Sequence, residues 1–135
     1  MTPLELIHQA ADKLRPYTSG GRLHADVAAA VLSTNGKVYY GVCVDTPGWG
    51  LCAERAALAA MITDGVYIFS SIVAVWQDDK TGKLHVLPPC GICRDFMQTI
   101  DKSNLEASII LGKEELKPLK DLIPYHQWPE PLEDV

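Results

Sequence analysis

Residues 25–44 read ADVAAAVLSTNGKVYYGVCV, two apolar and partly β-branched runs on either side of Asn35-Gly36. Asn-Gly between such runs is the strongest short turn signal, because both residues tolerate the left-handed backbone of a tight hairpin. The stretch therefore predicts a β-hairpin. A loop, DTPGWG (45–50), follows it, and from Cys52 the Ala-rich segment CAERAALAAMITD reads as a helix stopped by Gly65. A hairpin feeding a helix argues against a strand–helix–strand opening.

Upstream, Leu4, Ile7, Ala11 and Leu14 recur at helical spacing, so residues 4–15 form an amphipathic helix ended before Pro16. The segment PYTSGGRLH is a loop. Downstream, SSIVAVWQ (70–77) is an apolar strand, DDKTGK a turn, and LHVLPP brings the chain to Cys90. GICRDFMQTID (91–101) reads as a helix and ASIILG (107–112) as a strand. KEELKPLKDLI (113–123) reads as a short helix disturbed by Pro118, and the proline-bearing tail 124–135 as extended. The order α-β-β-α-β-α-β-α predicts an α/β fold, a mixed sheet with helices on both faces.

The 135 residues correspond to one domain, 1–135. A hydrophobic fraction of 47% and a charged fraction of 21% exclude a disordered or fibrous chain. The formal charge of −5 argues against a nucleic-acid binder, since phosphate contacts need clustered Lys and Arg. No basic block exceeds a pair, which argues equally against anionic membrane surfaces. The apolar run from Val27 to Leu32 falls far short of the roughly 20 residues that span a bilayer. Glu5, Asp12 and Lys13 interrupt the first fifteen residues, unlike a signal-peptide core, so the expected location is the cytoplasm.

Four cysteines are present, Cys43, Cys52, Cys90 and Cys93. In a reducing compartment such spacings point to metal ligation or redox work rather than disulfides. Cys52-Ala53-Glu54 starts one predicted helix, and Pro89-Cys90-Gly91-Ile92-Cys93 starts another. Three thiolates give Zn²⁺ three protein ligands and leave a fourth position for water, the open arrangement of a catalytic site. Zinc lowers the pKa of bound water to about 7. Three thiolates oppose that acidification, while two positive helix N-termini and Arg55, as a hydrogen-bond partner of thiolate sulfur, offset part of their charge. Glu54, two residues from a ligand, is placed to take a proton from the water and return it to a leaving group. The parts suit water attack on a ring carbon bearing an amine, with loss of ammonia.

Cys-Ala-Glu followed by Pro-Cys-x-x-Cys resembles the cytidine deaminase superfamily, over about residues 27 to 111. The all-cysteine ligand set with Arg55 is similar to the small homotetrameric nucleoside deaminases and the blasticidin S deaminases. The resemblance implies an α-β-α sandwich with a mixed central sheet. It implies one zinc per subunit on Cys52, Cys90 and Cys93, with Glu54 as proton shuttle and Arg55 as thiolate partner. Backbone groups around Ala53 and Cys90 would hold the pyrimidine edge. A homotetramer is expected, with a dimer second, because related sites are completed by neighbouring subunits.

Ordinary cytidine deaminases carry Gly-x-Asn-Val-Glu-Asn after the second strand, where Asn and Glu bind ribose. This chain has Gly41-Val42-Cys43-Val44-Asp45-Thr46, and a thiol cannot reproduce a carboxamide. The loop from Cys43 to Cys52 is two residues shorter than the usual pattern and matches the blasticidin S deaminase length. The base-stacking Phe of cytidine deaminases falls near Ala25. The substrate-facing candidates are Cys43, Asp45, Ala53 and Trp49, with Cys43 read as a pocket-lining residue rather than a fourth ligand. Two deaminase readings follow, for cytidine or deoxycytidine in pyrimidine salvage and for a blasticidin S-like or modified cytosine compound. A non-catalytic binder and a thioredoxin-like CxxC redox protein are the other classes. The redox reading leaves Cys52 and Glu54 idle. His8, His24 and His85 read as surface or core residues, and His126 and Trp128 as part of a tail packed on its own core or reaching an active site.

Overall fold

Thr2 opens the first helix by accepting a hydrogen bond from Glu5 N at 3.2 Å, while the Glu5 carboxylate accepts from Thr2 N at 2.8 Å. This reciprocal cap, with Pro3 in the first turn, starts α1 at Pro3–Ala11. The structure, a computed structural model, describes residues 1–133. Of the predicted tail 124–135, the last two residues lie outside them.

Helix α1 ends at Ala11, four residues before the predicted limit. Lys13 N and Leu14 N bond to carbonyls three residues back, and Arg15 N then donates to Ala25 O, drawing the chain onto the sheet. In place of the expected loop, Tyr17–Ser19 (β1) pairs antiparallel with Arg22–His24 (β2). Gly20 and Gly21, at φ +59° and +77°, supply the two left-handed positions of this tight turn.

The predicted hairpin forms as β3 (Val27–Ser33) and β4 (Val38–Val42), paired antiparallel with Leu32 opposite Val38. Gly36 takes φ +87° in the turn, and Asn35 Oδ1 accepts from Lys37 N. Helix α2 is Ala53–Thr63 and strand β5 is Phe69–Gln77. Strand β6 (Leu84–Leu87), on the segment leading to Cys90, pairs antiparallel with β5. Helix α3 is Gly91–Ile100, followed by a 3-10 turn and β7 (Ser108–Ile110).

The predicted helix over 113–123 is corrected by the structure. Leu116–Pro118 forms an edge strand, β8, antiparallel to β7, and only Leu119–Asp121 makes a helical turn, of 3-10 type. Pro118 lacks the N–H a helix needs, and a sheet edge tolerates that loss.

The main sheet runs β4-β3-β5-β7-β8, with β6 also paired to β5. Only β5–β7 is parallel, so the sheet is mixed, as expected. Its central strands are buried on both faces, as strict alternation demonstrates. Ala29, Val31, Ile72, Ala74 and Ile109 pack with Leu58, Met61 and Met97 of α2 and α3. Their neighbours Ala28, Ala30, Val73, Val75 and Ile110 pack with Leu6, Ile7 and Ala10 of α1. Helices thus cover both faces, one against two.

Two polar devices fix the helices that matter for the site. Buried Asn104 accepts from Phe69 N at 3.0 Å and donates to Tyr67 O and Met97 O at 2.9 and 3.0 Å, tying the end of α3 to the start of β5. At Gly41, β4 lies directly against α2. A Cβ there would stand 2.3 Å from Ala57 N and 2.7 Å from Ala53 O, so any side chain forces strand and helix apart. Gly41→Ala is expected to cost about 3 kcal/mol, the upper part of the overpacking range. Urea unfolding checks this as a lower midpoint at unchanged slope.

Candidate active site

Cys52 and Cys90 are the N-cap residues of α2 and α3, and neither makes a side-chain capping bond. Cys93 sits in the first turn of α3 and is fully buried. The two helix starts converge, so that Cys52 Sγ lies 3.6 Å from Cys90 Sγ, which lies 3.5 Å from Cys93 Sγ. All three sulfurs fall within 4.8 Å of one another. Tetrahedral zinc with Zn–S of about 2.3 Å separates two thiolates by roughly 3.8 Å, so the cluster has the spacing of a metal site.

The electrostatics fit the same reading. Burial pushes the Cys93 thiol far above its ordinary range, and the nearby Glu54 charge adds to this. Burial also resists ionisation of Cys90, but hydrogen bonds from Cys93 N–H and the neighbouring thiols outweigh it and hold Cys90 below the usual value. The two neighbouring thiols are thus shifted in opposite directions, and a divalent cation bound among them would favour the thiolate form of both. Arg55 Nη2 donates to Cys52 Sγ at 3.7 Å, and that bond strengthens the guanidinium's hold on its proton. Arg55 Nε is buried without a hydrogen-bond partner, alone in this among the described side-chain polar atoms. Thiolates, the form that binds metal, offer such a donor a stronger acceptor than thiols do.

Glu54, in the first turn of α2, is only 7% exposed. Burial raises its carboxyl pKa, partly opposed by its own backbone N–H and by Arg55. It lines a pocket of about 450 Å³ that also receives Cys52, Cys90 and Ala53. The remaining sequence-derived candidates reach the same cavity. Cys43, Asp45 and Trp49 all line it, Trp49 at 88% exposure on the rim. Arg22 pairs with the Asp45 carboxylate at 3.3 Å, and Asp45 N donates to His24 Nδ1 at 3.1 Å. His85 is elsewhere, exposed and stacked on Trp76 with ring centres 5.0 Å apart. Of the Ala-rich helix, Ala57 is buried while Ala59 and Ala60 are exposed.

No protein-family model matches the chain. It is 36% identical over 95 residues to a probable cytidine deaminase of Dictyostelium discoideum, covering 69% of this chain and 62% of that protein. It is 26% identical over 126 residues to the blasticidin-S deaminase of Bacillus cereus, covering 90% and 89%. The cytidine deaminase structure of Burkholderia pseudomallei superposes with a TM-score of 0.69 at 29% identity, over 93% of this chain and 98% of that one. The cytidine deaminase structure of Mycobacterium tuberculosis superposes at 0.71 and 29%, over 90% and 94%. In sequence and in fold the chain is similar to cytidine deaminases and to a blasticidin-S deaminase.

Within this fold, sequence reasoning missed one polar residue of the pocket, Asp26. Its Oδ1 accepts from Cys43 Sγ and its Oδ2 from Trp76 Nε1, both at 3.2 Å. The signal was present as a lone acid at the head of the apolar run ADVAAAVL. Ala25 just before it takes φ +58°, a left-handed conformation unusual for a residue with a Cβ. Arg94 was also passed over. It donates from Nε to Pro89 O and from Nη1 to Leu122 O, each at 2.8 Å, and so ties the Cys90 loop to the C-terminal segment.

Cys52→Ser, Cys90→Ser and Cys93→Ser are each expected to weaken metal binding by more than the roughly 10–100-fold that losing a ligand's partner costs. Cys43→Ser is expected to leave it intact. Cobalt(II) titration, followed by thiolate charge-transfer absorption, measures both.

Proposed function

We propose that this chain is a zinc-dependent hydrolytic deaminase, converting cytidine, deoxycytidine or a related aminopyrimidine nucleoside to the oxo product and ammonia. The observation that carries the reading is one shared site: three thiols cluster, and two of them, Cys52 and Cys90, open with the buried Glu54 carboxyl into one pocket, with Cys93 buried behind them. Relatives named cytidine deaminase support the reaction class.

Cys52, Cys90 and Cys93 hold one zinc per subunit, which supplies Lewis acidity and makes water ionisable near neutral pH. Arg55 and the N-termini of α2 and α3 temper the charge of the three thiolates. Glu54 takes a proton from the attacking water and delivers it to the departing amine. A carboxyl whose affinity for protons is raised by burial suits both halves of that task. The ring carbon gains oxygen and loses nitrogen, so one water is consumed and one ammonia released. Backbone groups at Ala53 and Cys90 hold the pyrimidine edge, while Cys43, Asp45 and Trp49 surround the substituent on the base.

A second reading is deamination of a blasticidin S-like or modified cytosine compound. It is favoured by the Cys43/Asp45 pair and by a match running nearly the full length of the blasticidin-S deaminase. Both readings act on a small molecule, with no nucleic acid or membrane partner. We infer a cytoplasmic homotetramer, with a dimer as the next choice, and for the cytidine reading a place in pyrimidine salvage. The exposed Trp128 near the C-terminus is available to a neighbouring subunit.

Glu54→Gln is expected to lower turnover by at least about 100- to 10,000-fold, the usual worth of a positioned acid–base group, with zinc retained. Ammonia release from cytidine, deoxycytidine, cytosine, 5-methylcytidine, isocytidine and blasticidin S, beside zinc content, checks this. A redox protein would instead depend on Cys90 and ignore chelation, and a binder would be indifferent to Glu54.

A further inference from the structure

The charged side chains lining the pocket are all acids: Asp26, Asp45 and Glu54. Glu54 is committed to proton transfer in the reading above, and Arg22 partners Asp45 at the rim. Asp26 lies deeper, at the head of β3. Both its oxygens are oriented, one by the Trp76 indole and one by the Cys43 thiol, and each oxygen keeps a further lone pair for another donor. The geometry also defines what Cys43 does. Its single proton points at Asp26, and burial together with that carboxylate keeps the thiol protonated. Cys43 therefore has no donor left for a ligand and offers only a weak sulfur acceptor.

We propose that Asp26 is the specificity-determining residue of this pocket, accepting a hydrogen bond from a hydroxyl or ammonium donor on the substituent attached to the base. Cys43 and Trp76 are its positioning partners. The assignment rests on the deaminase reading and deepens it by naming the substrate class, a cytosine compound with a neutral or cationic, donor-bearing substituent. An anionic substituent is disfavoured, because Asp26 repels it and no Lys, Arg or His is among the lining residues to pair with it.

Four compounds separate the possibilities. Cytidine carries hydroxyls, 1-(2-aminoethyl)cytosine an ammonium, 1-methylcytosine no donor, and cytidine 5′-phosphate an anion. Turnover and equilibrium binding by calorimetry are measured on zinc-loaded wild type, Asp26→Asn and Cys43→Ala. Asp26→Asn keeps the side chain's size and an oxygen for Trp76, and circular dichroism confirms that each variant is folded.

Wild type is expected to prefer cytidine or the aminoethyl compound over both 1-methylcytosine and the phosphate. Whichever of the two binds more tightly identifies the donor as hydroxyl or ammonium. Asp26→Asn is expected to cut that preference over 1-methylcytosine by roughly 10- to 100-fold, mainly in KM, as loss of a charged acceptor should. Cys43→Ala, which leaves the carboxylate, should cost less. An unchanged preference in Asp26→Asn overturns the assignment, and an equal or larger loss in Cys43→Ala gives the contact to Cys43 instead. Preferential binding without turnover overturns the deaminase reading and keeps Asp26. Turnover without preference keeps the deaminase and removes Asp26, and failure to bind any of the four removes both.

Discussion

Everything distinctive about this protein depends on two helices beginning at the same point in space. Cys52 and Cys90 stand where a helix normally places Ser, Thr or Asp, and neither caps its helix through its side chain. Both thiols are therefore free to face each other and Cys93, with the exposed N–H groups of α2 and α3 behind them. That convergence is set by packing. Gly41 lets β4 press against the first turns of α2, and Asn104 anchors the far end of α3 to β5. A looser fit at either place would spread sulfurs that now lie 3.5 and 3.6 Å apart.

The same packing sets the electrostatics. Glu54 is carried into the pocket by the first turn of α2, one residue before Arg55 and two after Cys52. Burial there raises its carboxyl's affinity for a proton, in a cavity it shares with Cys52 and Cys90. Arg55, on the same turn, reaches back to the Cys52 sulfur. One helical turn thus supplies a clustered thiol, a buried carboxyl and a guanidinium, which the proposed mechanism uses as ligand, proton carrier and countercharge. The opposite wall comes from β3 and the strand-end residues near Cys43, where Asp26 and Asp45 give the cavity its acidic character.

Much of this was legible in the sequence, for identifiable reasons. The β3–β4 hairpin announced itself through Asn35-Gly36, and the two site helices through an Ala-rich run and a CxxC start. The three-cysteine set with Glu54 was legible because few other arrangements use all four residues. The C-terminal segment was misread because KEELKPLKDLI has helical composition, whereas pairing with β7 and the ring of Pro118 decide its structure. Strands β1, β2 and β6 have only three or four residues each, too few for periodicity to register. Asp26 was overlooked because its role depends on Trp76, fifty residues away, a contact no local pattern encodes.

The central claim is that three thiolates and no fourth protein sulfur form an open metal site. X-ray absorption at the zinc edge of the zinc-loaded protein tests it directly. The account requires three sulfur neighbours at about 2.3 Å and one lighter atom. Four sulfurs would bring Cys43 into the coordination shell and close the site, and two or fewer would mean that the Cys52–Cys90–Cys93 cluster does not hold the metal.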